Sequence, residues 1–164
     1  MLKNKNIFYT YIRFPCLIFV SMSLLTGCAA TGKSFSGFQS PSEKSAVIVV
    51  YRPDLFRAEG QSVRVSIDNN EVGVLRNAGW LSIHTTHGEH SVTLDERFTF
   101  WQKDTVLKVD TQQGEPIALR VLLGGMTGLY PMPSGPVMTF GPWTIQQVST
   151  ETAQAELKNL KESE

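Results

Sequence analysis

Residues 24–34, LLTGCAATGKS, hold the most specific chemical signal in this sequence, and they fit two incompatible motifs. Counted from Gly27, the stretch matches G-x-x-x-x-G-K-[ST], the loop whose backbone N–H groups cradle nucleotide phosphates. Counted from Leu25, it is LTGC, a box in which the thiol of Cys28 is acylated. The first motif predicts nucleotide binding, and the second predicts a lipid anchor.

The flanking sequence decides between the two motifs. Residues 14–25 are a short apolar run without acid or base, preceded by Lys3, Lys5 and Arg13, and no acidic residue occurs in residues 1–27. A basic start, a short apolar run and a small-residue cleavage site define a secretory signal, and the run is too short for a comfortable membrane span. We therefore expect a lipoprotein signal peptide over residues 1–27 and no nucleotide, because cleavage before Cys28 removes the first glycine of the phosphate motif.

Three histidines, His84, His87 and His90, lie within HTTHGEH and could bind zinc or copper as neutral imidazoles. Convergence requires a tight turn at Gly88, because His87 has the opposite strand parity to the other two. Exposed hairpin histidines are the favoured interpretation, so no metal or cofactor is expected. No nucleophile elbow appears and no free cysteine is retained, so the chain is not expected to be an enzyme.

The composition narrows the list of partners. Loss of the three basic leader residues leaves 12 Lys and Arg against 15 Asp and Glu, a net charge of −3 with no basic patch. Nucleic acid is therefore not an expected partner. Cys16 leaves with the signal peptide and Cys28 is acylated, so the exported domain has no disulfide and must be stabilised by burial and hydrogen bonds.

The hydrophobic pattern predicts the scaffold that positions these residues. After the lipidated Cys28 and a flexible tether over residues 28–44, short alternating or β-branched runs recur every eight to twelve residues. This spacing predicts a mainly β domain over residues 45–164, an antiparallel β-sandwich. One short amphipathic helix is expected at about residues 150–161, capped by Ser149 or Thr150.

Four segments, AVIVVYRP, VSIDNNEVGVL, NAGWLSI and HGEHSVTL, together resemble the lipoprotein family catalogued as domain of unknown function 2846, and the middle part resembles PEGA-type sandwich modules. The similarity covers roughly residues 45–123 and departs from the family at His87, where members often carry proline. The family-like positions are Tyr51, Arg52, Pro53, Gly88 and His90. The resemblance implies fold and anchoring but no activity, and Ala29 after the cysteine implies sorting to the outer membrane, facing the periplasm.

Residues 124–138, GGMTGLYPMPSGPVM, are anomalous because a plain surface loop should be polar. Its apolar side chains indicate contact with a partner, a lipid surface or a hydrophobic ligand, and a loop that closes one end of the sandwich core is equally consistent with them. The candidate interaction residues are Met126, Leu129, Tyr130, Met132 and Trp143. The expected function is a lipid-anchored, non-enzymatic envelope lipoprotein that binds an envelope protein partner. The alternative is a metal- or small-ligand-binding module that uses His84, His87 and His90.

Overall fold

The computed structural model describes residues 29–55, 59–95, 104–112, 115–130 and 137–163. The expected signal peptide, residues 1–27, and Cys28 lie outside the described residues. The elements are β1 Ala46–Arg52, β2 Val63–Ile67, β3 Asn70–Leu75, β4 Gly79–Thr85, β5 Gly88–Asp95, β6 Thr105–Thr111, β7 Ile117–Leu123, β8 Met126–Tyr130, β9 Val137–Phe140, β10 Trp143–Val148, α1 Thr150–Leu157 and β11 Lys161–Glu162.

Two sheets face each other, which confirms the predicted sandwich. Sheet I has the order β10-β7-β1-β4-β11, and sheet II has the order β3-β2-β5-β6. Alternate strand residues point inward from both sheets and form one core, because side chains along a strand project to opposite faces. Representative core residues are Ile48, Leu81 and Leu119 from sheet I and Val65 and Val92 from sheet II.

Strand β1 is buried along its whole length, as its unbroken apolar sequence predicts. Its second face packs in a separate cluster, where Val47, Val49 and Tyr51 meet Ala153 and Leu157 of α1. The pairing differs from an all-antiparallel sheet, since β1 runs parallel to β7 and β11 runs parallel to β4. Short-range turn signals specify hairpins and carry no information on such distant pairs.

The strand ends define two ends of the sandwich. At the first, which we call the Ala29 end, Arg52 of β1 is opposite Gly79 of β4, and Leu123 of β7 is opposite Trp143 of β10. At the second, the His90 end, Ala46 is opposite Thr85 and Gly88 is opposite Thr111.

The β2–β3 hairpin turns one residue earlier than its Asn-Asn pair predicts. Asp68 and Asn69 have φ angles of 48° and 66°, whereas Asn70 already belongs to β3. Two consecutive positive φ values are typical of a type I′ turn, whose twist matches the flanking strands. The Asp68 side chain is thereby directed toward β5, where it acquires a role described below.

The helix is shorter than predicted and covers residues 150–157 rather than 150–161. Ser149 caps it, since its side chain accepts a hydrogen bond from the backbone N–H of Thr152 at 3.2 Å. Beyond the helix the chain turns so that Leu160 stays in the second cluster and residues 161–162 join sheet I. Backbone pairing with β4 therefore ends the helix where side-chain periodicity alone would continue it.

The segment expected to be a loop at residues 124–138 is partly a β-hairpin. Strands β8 and β9 pair with each other in a two-stranded sheet of their own. Backbone bonds from Gly124 N to Pro142 O at 3.0 Å and from Gly141 N to Gly125 O at 2.8 Å continue the β7–β10 ladder into it. Gly141 and Pro142 separate β9 from β10, as expected of a proline, which cannot donate a backbone hydrogen bond to a strand ladder.

Candidate functional site

Residues 29–38, which follow the candidate acylation site directly, lie along the domain and do not form the free tether expected from their composition. Ala30 N donates to Asn77 O at 3.1 Å and Gly32 N donates to Glu162 O at 3.1 Å. Glu162 N in turn donates to Lys33 O at 2.8 Å. The segment is therefore held as an additional extended chain beside β11, and the C-terminal residues secure it.

Two aromatic rings attach the same segment to the second cluster. Phe35 lies edge-on to Phe38, with ring centroids 5.2 Å apart, and edge-on to Trp80 at 5.4 Å. Such T-shaped pairs are favourable beyond the area that they bury. The sequence did not predict this contact, because two phenylalanines in a stretch of small and polar residues show no periodicity.

The second glycine and the serine of the phosphate motif, Gly32 and Ser34, are used in this packing. A Cβ on Gly32 would lie 2.6 Å from the carbonyl oxygen of Glu162, so only glycine permits the approach. Ser34 Oγ accepts a hydrogen bond from Lys161 Nζ at 2.7 Å. No helix follows these residues, whereas a phosphate loop requires one, and the motif therefore has a packing explanation.

His90 is buried at the opposite end of the sandwich and bonded through both ring nitrogens. Its Nδ1 donates to Asp68 Oδ2 at 2.6 Å, and its Nε2 donates to the backbone carbonyl of Thr86 at 2.9 Å. Both partners are acceptors, so this arrangement favours the doubly protonated, positively charged ring. Burial disfavours that charge, but the bonds to Asp68 and Thr86 prevail and raise the pKa of His90.

The Asp68–His90 pair resembles the carboxylate–imidazole pair of hydrolases but serves the fold. Asp68 also accepts from Ser91 N at 2.9 Å, and this bond, followed by that from His90, lowers the pKa of the carboxyl group. Nε2 of His90 faces the backbone carbonyl of Thr86 and lies 3.3 Å from Thr85 Oγ1, so both ring nitrogens have partners within the fold. The pair ties the β2–β3 turn to the turn between β4 and β5.

The other two histidines do not join His90. His84 is exposed on β4, and His87 lies between the carbonyl oxygens of Thr111 and Ser42, at 3.3 Å and 3.1 Å. Among the residues that the structure describes, no three His, Cys, Asp or Glu side chains are grouped to hold a metal ion. The structure therefore gives no support to the metal-binding alternative for this hairpin.

Tyr51 and Arg52, the family-like residues at the end of β1, have structural partners. Arg52 is fully buried, donates to the backbone carbonyl of Gln61 at 2.5 Å and lies over the ring of Trp143, 4.7 Å from its centroid. Burial lowers the pKa of Arg52 to about 10, so the guanidinium stays charged at neutral pH. Pro53 follows β1 directly and starts the loop that supplies the Gln61 carbonyl.

Glu156 of α1 joins the helix to sheet I. It accepts from Tyr51 Oη at 2.6 Å and from Arg120 at 2.7 Å. Burial, and then the bond to Glu156, raise the pKa of Tyr51 well above its ordinary value. Sequence reasoning missed Glu156, since an acidic residue on an amphipathic helix ordinarily faces solvent.

Replacement of Glu156 by alanine is expected to lower the free energy of unfolding by about 2 kcal/mol, because two hydrogen-bond donors lose a charged acceptor. Urea denaturation of the purified protein measures the change. Gln154→Ala, an exposed substitution on the same helix, is the matched control and should stay within about 0.5 kcal/mol of the parent. Equal stability of the two variants would contradict the proposal that Glu156 stabilises the contact between α1 and sheet I.

The candidate interaction residues do not form one surface, because some belong to the β8–β9 hairpin and Trp143 lies in the core. Met126, Leu129 and Tyr130 belong to β8, and Met132 lies outside the described residues. Leu129 is 61% exposed, so it does not close the core. Trp143 begins β10 and is only 2% exposed in the core, where it supports Arg52 and does not present its side chain on the surface.

The surface cavities described here are small. One of about 240 Å³ is lined by Asp110, Glu115 and their neighbours, and one of about 70 Å³ is lined by Ala30, Arg76 and Glu162 among others. Both fall below the usual size of small-molecule sites.

Within the described part of the chain, no helix has the length and hydrophobicity needed to traverse a bilayer.

These features define a class of protein: a β-sandwich with an extended N-terminal segment, residues 29–38, packed on its side and the uncharged β8–β9 hairpin at one end. The chain was compared with protein-family models, with curated proteins and with solved structures, and it matched none of them.

Proposed function

We propose that this chain is a lipid-anchored lipoprotein of the cell envelope whose β-sandwich is a non-catalytic binding module. The observation that carries the proposal is the LTGC box at Cys28, which follows a basic and then apolar leader and immediately precedes the segment packed on the domain. The resemblance to the family catalogued as domain of unknown function 2846 supports the same assignment.

The chemistry of the anchor follows from the position of Cys28. Its thiol receives a diacylglyceryl group as a thioether, and its amine, freed by cleavage after Gly27, is acylated in turn. Each buried CH₂ contributes about 0.8 kcal/mol, so one chain binds only reversibly whereas several hold the protein almost permanently. Ala29 in the next position favours the outer membrane, with the domain in the periplasm.

A binding role is favoured over catalysis by the partners of the polar residues. His90, Tyr51 and Arg52 are each committed to contacts within the fold. The β8–β9 hairpin, in contrast, presents an apolar side chain at Leu129 without covering it. We propose that this hairpin is the surface through which the module binds a component of the envelope.

Metabolic labelling of the full-length protein with radioactive palmitate tests the anchor. We expect label in the parent and in Cys16→Ala, whose changed residue lies in the leader, and no label in Cys28→Ala. The Cys28→Ala chain should also retain its leader and migrate as the larger precursor. Equal labelling of Cys28→Ala, or no label in the parent, would overturn the proposal.

A further inference from the structure

We propose that the Ala29 end of the sandwich faces the bilayer and that the β8–β9 hairpin rests in the lipid interface as a second membrane contact. The inference depends on the proposed acylation of Cys28 and adds to it an orientation and a lipid-binding surface. Three observations carry it: the position of Ala29, the base of the hairpin, and the absence of charge along the hairpin sequence.

No flexible linker separates the proposed acylation site from the first residue that is held on the domain, Ala29. Ala29 forms a parallel bridge with Asn77, two residues before β4 begins at Gly79. The proposed acylation site directly precedes Ala29 in the sequence, so the lipid would be attached within one residue of a position held at this end of the sandwich. The residues that would have formed a long tether run instead along the side of the domain, toward Ser42 at the His90 end.

The hairpin starts from the same end of the sandwich. Strand β7 runs parallel to β1 and finishes at the Ala29 end, where Leu123 is opposite Trp143. The ladder then continues through Gly124 and Gly141 into β8 and β9. In the order β10-β7-β1-β4-β11, β7 is three strands from β11, so the hairpin and the anchored chain are separated by roughly 14 Å at about 4.8 Å per strand.

The composition of the hairpin favours lipid over a protein partner. No Asp, Glu, Lys, Arg or His occurs in residues 121–150, between Arg120 and Glu151. Charged side chains are costly in the bilayer, whereas protein partners are commonly distinguished by complementary charges. An uncharged hairpin with an exposed leucine, held beside acyl chains, matches a lipid surface and does not require anionic headgroups. Two membrane contacts about 14 Å apart, the lipid anchor and the hairpin, would fix the tilt of the domain as well as its distance from the bilayer.

A fluorescent label that reports polarity tests the orientation in the full, processed protein. Leu129→Cys places the label on the hairpin, Val72→Cys is the matched exposed apolar control on β3, and His84→Cys marks the His90 end. Because acylation blocks the thiol of Cys28, each variant carries a single reactive cysteine. Each labelled protein is reconstituted in phosphatidylcholine vesicles whose acyl chains bear nitroxide quenchers.

We expect the label at position 129 to shift to shorter wavelength and to be quenched at least threefold more than the labels at positions 72 and 84, with no dependence on added phosphatidylserine. Equal, water-like emission at all three positions would overturn the inference. A shielded label at position 129 that lipid nitroxides do not quench would also overturn it, in favour of a protein occupant. Failure of the anchor itself is distinguishable, because an unmodified Cys28 would add at least one further label per chain, which mass spectrometry of the labelled protein counts.

Discussion

Alanine at both Phe35 and Phe38 is expected to release residues 29–38 from the domain and to accelerate trypsin cleavage after Lys33 about thirtyfold. The two half-buried rings contribute roughly 2 kcal/mol of apolar burial, which corresponds to that factor in the population of the open form. Cleavage follows this population when opening and closing are fast. In the parent, the Lys33 carbonyl is bonded to Glu162 N and the site is protected.

Mass spectrometry of the digest separates local release from loss of the fold. Cleavage after Lys108, within β6, reports global unfolding and should change far less than cleavage after Lys33. Val106→Ala, which removes an exposed apolar side chain from β6, is the matched control and should leave the Lys33 site protected. If both sites became equally sensitive in the double variant, the segment would be part of the global folding unit and not a separately docked one.

If Cys28 is acylated as proposed, release of this segment would also change the position of the domain relative to the membrane. Ten extended residues span at most about 33 Å, so the freed chain would allow the domain to move away from the bilayer by a distance comparable to its own size. The double variant therefore also bears on the orientation proposed above. A label at position 129 should lose part of its lipid quenching when the segment is free, while acylation is unchanged.

Replacement of His90 by glutamine is expected to remove a pH-dependent part of the stability. The raised pKa of His90 means that its contribution is fully present below its ordinary value of 6.5 and is lost as the pH rises through the higher folded value. The lowered pKa of Asp68 has the opposite sign, since its contribution is present above 3.8 and is lost as the pH falls through the lower folded value. The pair therefore stabilises most between about pH 4 and 6.5.

Urea denaturation at pH 6 and pH 9 measures this effect. At pH 6, His90→Gln should cost about 1.5 kcal/mol, a value reduced for the partial exposure of Asp68, and the difference from the parent should shrink at pH 9. His84→Gln removes an exposed histidine from β4 and should keep the pH dependence of the parent. A cost for His90→Gln that is the same at both pH values would show that the ring is not charged in the fold.

Local patterns predicted much of the fold. The alternation of Val63, Val65 and Ile67 predicted one buried face of β2, and the glycine at 88 marked a turn where φ is 134°. Ser149 was correctly named as a possible helix cap. These features depend on neighbouring residues, so a single sequence contains the information needed to infer them.

Contacts between residues far apart in the sequence could not be predicted in this way. The parallel pairing of β1 with β7 and the docking of residues 29–38 on β11 join parts of the chain that are far apart in sequence. The polar partners were missed for the same reason, since nothing near Asp68 or Glu156 indicates that they receive bonds from His90 and Tyr51. The β8–β9 hairpin was missed because glycine and proline dominate its sequence, although its backbone still forms a ladder.

The pairing of the first described residues with the last ones determines when the native state can be completed. Residues 32–34 are bonded by residues 161–162, which lie far along the chain from them. Contacts between such distant parts of a chain form late, because a large loop must close first. Residues 32–34 therefore stay exposed to other proteins during most of folding and are covered by residues 161–162 only late in it.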